Sequence, residues 1–228
     1  KDFQVVPFMG EAVSSRLLRV DLAFGKRPAL HDGKVYDYIR TGRLYTHAAI
    51  APALALEKDT RREHSYRVAR MAVGRAASAG ISEEKALLAS ALHDCGKYVP
   101  LTSPLLEDFT PPDNVPPPVM PQYTGAYLAR HCFGIEDEEI LDAIRYHTSG
   151  KAGMTPLGIL VYLSDLLEEG RDFKGIDRLR ALFRTDLEVC LYHSLKDQLD
   201  YLKQSEKSVY PLTDQAFQWI RGVIKDKN

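Results

Sequence analysis

The period at which apolar residues recur sets the fold class of this chain. Spacings of three and four run through Tyr66-Val68-Met71-Ala72, Leu87-Leu88-Ala91-Leu92, Tyr127-Leu128, Ile140-Leu141-Ile144, Ile159-Leu160-Leu163-Leu167 and Leu187-Leu191-Leu195-Leu199-Leu202. Such spacing lays one apolar stripe along a helix. Convincing alternation, the mark of a half-buried strand, is absent, and Gln4-Val5-Val6-Pro7-Phe8 alone looks extended. The expected fold is all-α: a helical bundle with a short N-terminal appendage. Helix ends are marked as well. Ser82-Glu83-Glu84-Lys85 offers an N-cap followed by acids in the first turn, and Gly80 suits the end of the preceding helix.

Bulk properties narrow the function classes. A chain of 228 residues can bury one good core. With 30 basic and 31 acidic residues the net charge is -1, so nothing demands nucleic acid or an anionic membrane as partner. No apolar run approaches the roughly 20 residues needed to cross a bilayer, and the first residues do not read as a signal peptide. Cys95, Cys132 and Cys190 are odd in number and form no CxxC pair. This excludes a zinc ribbon and argues against a disulfide framework. The expectation is three reduced thiols in a cytoplasmic protein.

Eight of the 13 prolines fall between Pro100 and Pro121. Proline is denied helix interiors, so this segment is expected to be a long structured loop. It is either a wall or lid of a site or a passive surface excursion. The first 46 residues differ in character from the rest. Ser14-Ser15-Arg16-Leu17-Leu18-Arg19 reads as a helix start whose serines either cap the helix or bind phosphate. Val35-Tyr36-Asp37-Tyr38-Ile39-Arg40 follows.

The chemistry is concentrated in Leu92-His93-Asp94-Cys95-Gly96-Lys97, at the end of the run from 83 to 92. An imidazole beside a carboxylate at a helix end can hold a divalent metal, and the carboxylate can bridge to a second. Lys97 can face an anionic substrate. Further ligand types stand at His64, His147 and Asp165, all in segments that read as helix. Hydrolytic metal sites need neutral imidazoles and carboxylates with positions left for water and substrate. The order His, His-Asp, His, Asp supplies them, whereas His31, His47, His131 and His193 read as ordinary surface or core histidines.

These motifs carry a resemblance. Glu63-His64-Ser65-Tyr66-Arg67-Val68, His93-Asp94-Cys95-Gly96-Lys97, Thr124-Gly125-Ala126-Tyr127-Leu128, Asp142-Ala143-Ile144-Arg145-Tyr146-His147-Thr148-Ser149-Gly150 and Tyr162-Leu163-Ser164-Asp165, with Glu168 and Arg171 behind them, closely resemble the YqeK family of HD-domain hydrolases. The resemblance implies symmetrical cleavage of diadenosine tetraphosphate into two ADP. It implies His64, His93, Asp94 and Asp165 on a first metal, His147 on a second, and Asp94 as the bridge that orients the attacking hydroxide. Asp94 and Lys97 are the implied catalytic residues. Lys97, Arg145, Thr148, Ser149 and Arg171 are the implied substrate contacts, as arginine grips phosphate oxygens in pairs. The implied ion is iron, with manganese, cobalt or nickel also suited to mixed nitrogen and oxygen ligands.

Residues 1–46 resemble the C-terminal tail of bacterial nicotinate-nucleotide adenylyltransferases, with Arg16 where that family has threonine. This implies a piece of a longer fusion, with the HD domain over 47–228. One departure stands in the HD segment. The YqeK pattern has a second-metal histidine four residues before Gly125, where this chain has Pro121, leaving Gln122, Asp113 or Asn114 as substitutes. Two alternatives therefore stay open: an HD phosphohydrolase of another nucleotide, and a non-catalytic metal- or nucleotide-binding module. A homodimer is compatible with the apolar helix faces.

Overall fold

The computed structural model describes residues 14–27 and 33–227. The extended segment at residues 4–8 and His31 lie outside them. The described residues form α-helices and short 3-10 turns with no strand, as the periodicity predicts.

The helices are α1 (Ser15–Ala23), α2 (Gly33–Thr41), α3 (Ile50–Ala55), α4 (Asp59–Ala76), α5 (Glu83–Leu92), α6 (Met120–His131), α7 (Glu138–Arg145), α8 (Pro156–Leu167), α9 (Ile176–Thr185), α10 (Leu187–Gln204) and α11 (Pro211–Asp226). The centre is α8, whose residues from Leu157 to Ser164 are all buried together with Leu167. A helix apolar on all sides must be surrounded. Here α4, α5 and α7 pack on one flank and α9 and α10 on the other. Among the described residues no helix is long and apolar enough to cross a membrane. Cys95, Cys132 and Cys190 are unpaired.

Local signals set the ends. Ser82 Oγ accepts from Lys85 N at 3.3 Å. Asp137, Thr155 and Asp186 cap α7, α8 and α10 in the same way, each satisfying an N–H that the first turn leaves free. Gly80 sits at φ +71°, the left-handed stop expected there.

Three expectations are adjusted. His147 is not helical: α7 stops at Arg145, and His147 occupies the turn running to Gly150, whose φ is +66°. Pro121 belongs to the first turn of α6, where its missing N–H costs nothing. The proline loop is therefore shorter than its prolines suggest, and it is anchored by a 3-10 turn over Pro104–Leu106 with Leu106 buried. Ser14 occupies the N-cap of α1, but its hydroxyl makes no capping bond.

The described part of the N-terminal tail packs onto the bundle. Val20 is fully buried in the core, and Asp21 accepts from Tyr66 Oη at 2.7 Å and from Arg70 at 2.6 Å. Lys26–Glu63 and Arg16–Glu83 add ion pairs. By contrast, α2 buries no side chain.

Behind His93-Asp94 the chain passes under α6 with almost no clearance. A Cβ on Gly96 would meet the backbone of α6, 2.5 Å from Gly125 N and 2.8 Å from Thr124 C. Backbone cannot step aside, so Gly96→Ala is expected to destabilise by about 1–3 kcal/mol. Thermal unfolding followed by circular dichroism should show the melting temperature fall by several degrees.

Candidate metal centre

Four helices deliver the chemistry. The α4–α8 contact brings His64 toward Asp165, and α5 and α7, both packed on α8, end at His93-Asp94 and just before His147. His93 lies between the other two imidazoles, with ring centroids 5.4 Å from His64 and 5.0 Å from His147. His64, His93, Asp94 and His147 are all buried, and Asp165 is partly so.

The partners on the far side of each ring decide which nitrogen faces the centre. His93 Nδ1 is 2.7 Å from Ser90 O, and His147 Nδ1 is 2.8 Å from Ile144 O. A carbonyl can only accept, so both Nδ1 atoms carry the proton. His64 Nδ1 donates to Glu168 Oε1 at 3.1 Å. Burial would raise the Glu168 carboxyl, but Arg67 Nε at 2.5 Å and Gly170 N at 2.6 Å outweigh it and hold it at about 2. All three imidazoles therefore turn Nε2 inward.

Two of these nitrogens find no hydrogen-bond partner within the protein. His64 Nε2 and His93 Nε2 are buried without a hydrogen-bond partner, although Asp165 Oδ1 stands 2.9 Å from the first and 3.9 Å from the second. The ligand atoms of His64, His93 and Asp94 lie within 4.8 Å of one another, and so do those of His93, His147 and Asp165. Buried donor atoms that converge without bonding one another suit a divalent cation. Outer partners that fix each tautomer are the usual companions of metal-bound histidine. Burial pushes His93 down to about 4, so it is neutral and ready to ligate at neutral pH.

Asp94 is the most loaded group. Its Oδ2 receives Arg61 at 2.8 Å and Lys97 at 3.2 Å, and its Oδ1 is 3.7 Å from His147 Nε2. Burial opposes its charge, but the imidazoles of His93 and His147 and the Lys97 ammonium keep it well below the usual carboxylate range. Burial also lowers His147, yet Asp94 outweighs it and the imidazole ends up raised.

The other expected residues divide. Lys97 stands on Asp94, and Arg171 holds Asp165 Oδ1 at 2.8 Å. Thr148 and Arg171 line a cavity of about 670 Å³ that opens from His147 and Asp165. Ser149 turns inward, donating to Gly150 O at 2.9 Å and accepting from Gln122 Nε2 at 3.0 Å. Arg145 pairs with Asp142 at 3.0 Å and does not line the cavity. No residue of the proline segment lines it either. Gln122, expected as a possible substitute ligand, is engaged elsewhere: its Oε1 accepts from Ser149 N and its Nε2 donates to Ser149 Oγ. Asp113 and Asn114 are exposed in the loop.

Two residues escaped the sequence reading. Arg61 lies three positions before His64 and shares its helix face, a spacing that announces the contact. Glu57 gives no such signal. It is buried behind Ser65, whose hydroxyl donates to both carboxyl oxygens, and burial pushes it up to about 8, so it keeps its proton at neutral pH.

Two outcomes follow from this geometry. Glu168→Ala is expected to weaken metal binding by ~10–100-fold, read by titration calorimetry. Metal that engages His147 must displace the proton favoured there, so its affinity should rise with pH across the histidine range. His93, neutral down to about pH 4, adds no such dependence. Titration in two buffers of different ionisation enthalpy counts the released proton.

Comparison with known proteins places this arrangement. Residues 61–182 match the HD domain family. A symmetrical bis(5'-nucleosyl)-tetraphosphatase of Bacillus subtilis (strain 168) is 35% identical over 179 residues, covering 74% of this chain and 95% of that protein. A probable nicotinate-nucleotide adenylyltransferase/Ap4A hydrolase of Mycoplasma genitalium is 32% identical over 82% of this chain and 53% of its own length. The crystal structure of a predicted HD superfamily hydrolase involved in NAD metabolism from Clostridium acetobutylicum superposes with a TM-score of 0.66 at 26% identity, covering 83% of this chain and 96% of that one. The matched span holds every converging imidazole and carboxylate, and with it this chain belongs to the HD domain family.

Proposed function

We propose that this chain is a metal-dependent phosphohydrolase that takes up one water and splits diadenosine tetraphosphate symmetrically into two ADP. The observation that carries this is the set of three imidazoles, each turned by an outer acceptor so that Nε2 faces the centre beside two carboxylates. The names of the relatives supply the substrate.

A divalent metal held by His64, His93, Asp94 and Asp165 would supply Lewis acidity and lower the pKa of its water. Asp94, fixed by Arg61 and Lys97, orients the attacking water. Lys97 and Arg171 are proposed to meet phosphoryl oxygens, Thr148 to donate from the cavity wall, and Arg61 to join them as the second cation on Asp94. Ser149 and Arg145 are assigned supporting roles, since their polar groups are engaged elsewhere. Mixed imidazole and carboxylate ligands suit iron, and iron is the proposed ion, with manganese, cobalt and nickel as substitutes. The proposed setting is a cytoplasmic fusion to an adenylyltransferase, supported by the name of the Mycoplasma genitalium relative.

Gln122, spent on Ser149, favours one firmly held ion over two and lends weight to a second reading, a binding module with little turnover. A product assay with iron(II), manganese or cobalt tests both. ADP as sole product is expected, with Asp94→Ala and His64→Ala losing roughly 10²-fold or more. AMP plus ATP would refute symmetrical cleavage, and bound metal without turnover would leave the binding module. Pro121→His should raise the metal content from about one toward two per chain, and turnover with it.

A further inference from the structure

A second cavity, of about 500 Å³, lies between α4, α9 and the end of α8. It shares no lining residue with the cavity that opens from His147 and Asp165. Its walls carry five arginines and no lysine: Arg67, Arg70 and Arg75 from α4, and Arg180 and Arg184 from α9. On each helix these positions fall three, four or eight residues apart, the spacing of one face. In a chain with a net charge of -1 this is a local concentration of positive charge.

The arginines divide by partner. Arg67 is spent on Glu168 at 2.5 Å and Arg70 on Asp21 at 2.6 Å. The other three keep most of their charge. Arg75 donates to the carbonyls of Phe183 at 2.9 Å and Thr185 at 3.4 Å and to Ser78 Oγ at 2.6 Å, all uncharged acceptors. Arg180 donates to the carbonyls of Leu167, Glu168 and Arg171 at 2.9, 2.8 and 3.0 Å. Its carboxylate neighbour Asp177 is 4.0 Å away and 98% exposed, so water screens the pair. Arg184 is exposed, and among the described residues it has no partner. Carbonyl contacts lock a guanidinium plane without cancelling its charge. One carboxylate, Glu169, stands on the same wall.

A glycine gives an independent sign. Gly74 lies inside α4 and lines the cavity, and a Cβ built there would meet nothing within 4 Å. Glycine weakens a helix interior relative to alanine, and no neighbour here demands it. Its missing side chain leaves open room beside Arg75 and one turn from Arg70.

Arginines held in plane and short of carboxylates grip oxyanions through paired hydrogen bonds, and several together call for a ligand with several charges. We infer that this cavity binds an oligophosphate, a short chain of linked phosphates held by Arg75, Arg180 and Arg184 in the room that Gly74 leaves. The chain is either free and inorganic or the end of a nucleotide. The inference does not depend on the reaction proposed at the metal centre.

The test is calorimetric titration of the full chain with inorganic tripolyphosphate, with a chelator present so that no ion at the histidines draws the probe. One probe per chain is expected. Arg184→Glu should weaken it about 10- to 100-fold, and so should Gly74→Leu, which fills the room. Neither variant threatens the fold. Arg184 is exposed, and leucine favours helix over glycine, so the Gly74→Leu melting temperature is expected at or above the parent's. ATP, titrated in the same way, separates the two sources. Binding no tighter than that of tripolyphosphate assigns the free chain. Tighter binding that Gly74→Leu still abolishes assigns a nucleotide. No binding of tripolyphosphate by the parent, or binding that both variants leave unchanged, would overturn the site. Manganese-loaded samples of both variants should hydrolyse diadenosine tetraphosphate at the parent rate. Hydrolysis that falls in step with oligophosphate binding would assign these arginines to the substrate path and sink the separate site.

Discussion

Three imidazoles share one buried site here, and charge governs whether they can. Three imidazolium ions at this depth would repel one another and forfeit their hydration, so the arrangement depends on protons being kept on the outer nitrogens. The structure arranges this with acceptors placed by three different elements: the Ser90 carbonyl near the end of α5, the Ile144 carbonyl at the end of α7, and the Glu168 carboxylate just past α8. The carbonyls are free for this because the last turn of a helix leaves its C=O groups without intrahelical donors. Glu168 in turn needs Arg67, since a buried carboxylate without a cation would itself take a proton. Ligand geometry, tautomer and the placement of α4, α5, α7 and α8 are thus a single problem with a single solution.

Much of this was legible in the sequence. Helix periodicity is a short-range property, and it gave α4, α5, α7, α8 and α10 together with the cap at Ser82. His93-Asp94 stood out as an imidazole beside a carboxylate at a helix end, and His147 through its place in the order His, His-Asp, His, Asp. What sequence did not give was direction. Ser149 and Arg145 sit beside His147 in the chain, yet a turn ending at Gly150 faces Ser149 inward and leaves Arg145 on the α7 surface with Asp142. Glu57 was invisible for a related reason: burial of a charged group is a tertiary fact, and nothing about Leu56-Glu57-Lys58 announces it. Arg61 could have been found from its spacing to His64.

The start of α6 shows how the turn that carries His147 is held. Proline at the start of α6 keeps the helix, and the next residue, Gln122, closes over the turn that carries His147 with two hydrogen bonds to Ser149. The turn stays in place by amide bonds rather than by a shared metal. His147 therefore keeps its position toward Asp94 whatever the number of ions bound nearby.

The close pass of Gly96 beneath α6 has a further consequence. The chain leaves the centre at Lys97 and returns at Gln122, and the two ends of this excursion are stitched together at its neck. Thr124 Oγ1 donates to Gly96 O at 3.4 Å, and the Cys95 thiol points to Gly125 O at 3.6 Å. A segment closed at its neck leaves the neck indifferent to its own length, because lengthening a loop adds little closure entropy once its ends are fixed. The exposed stretch around Asp113 and Asn114 is thus a natural graft point, where a reporter peptide or a whole inserted domain would ride on the molecule without reaching the histidines.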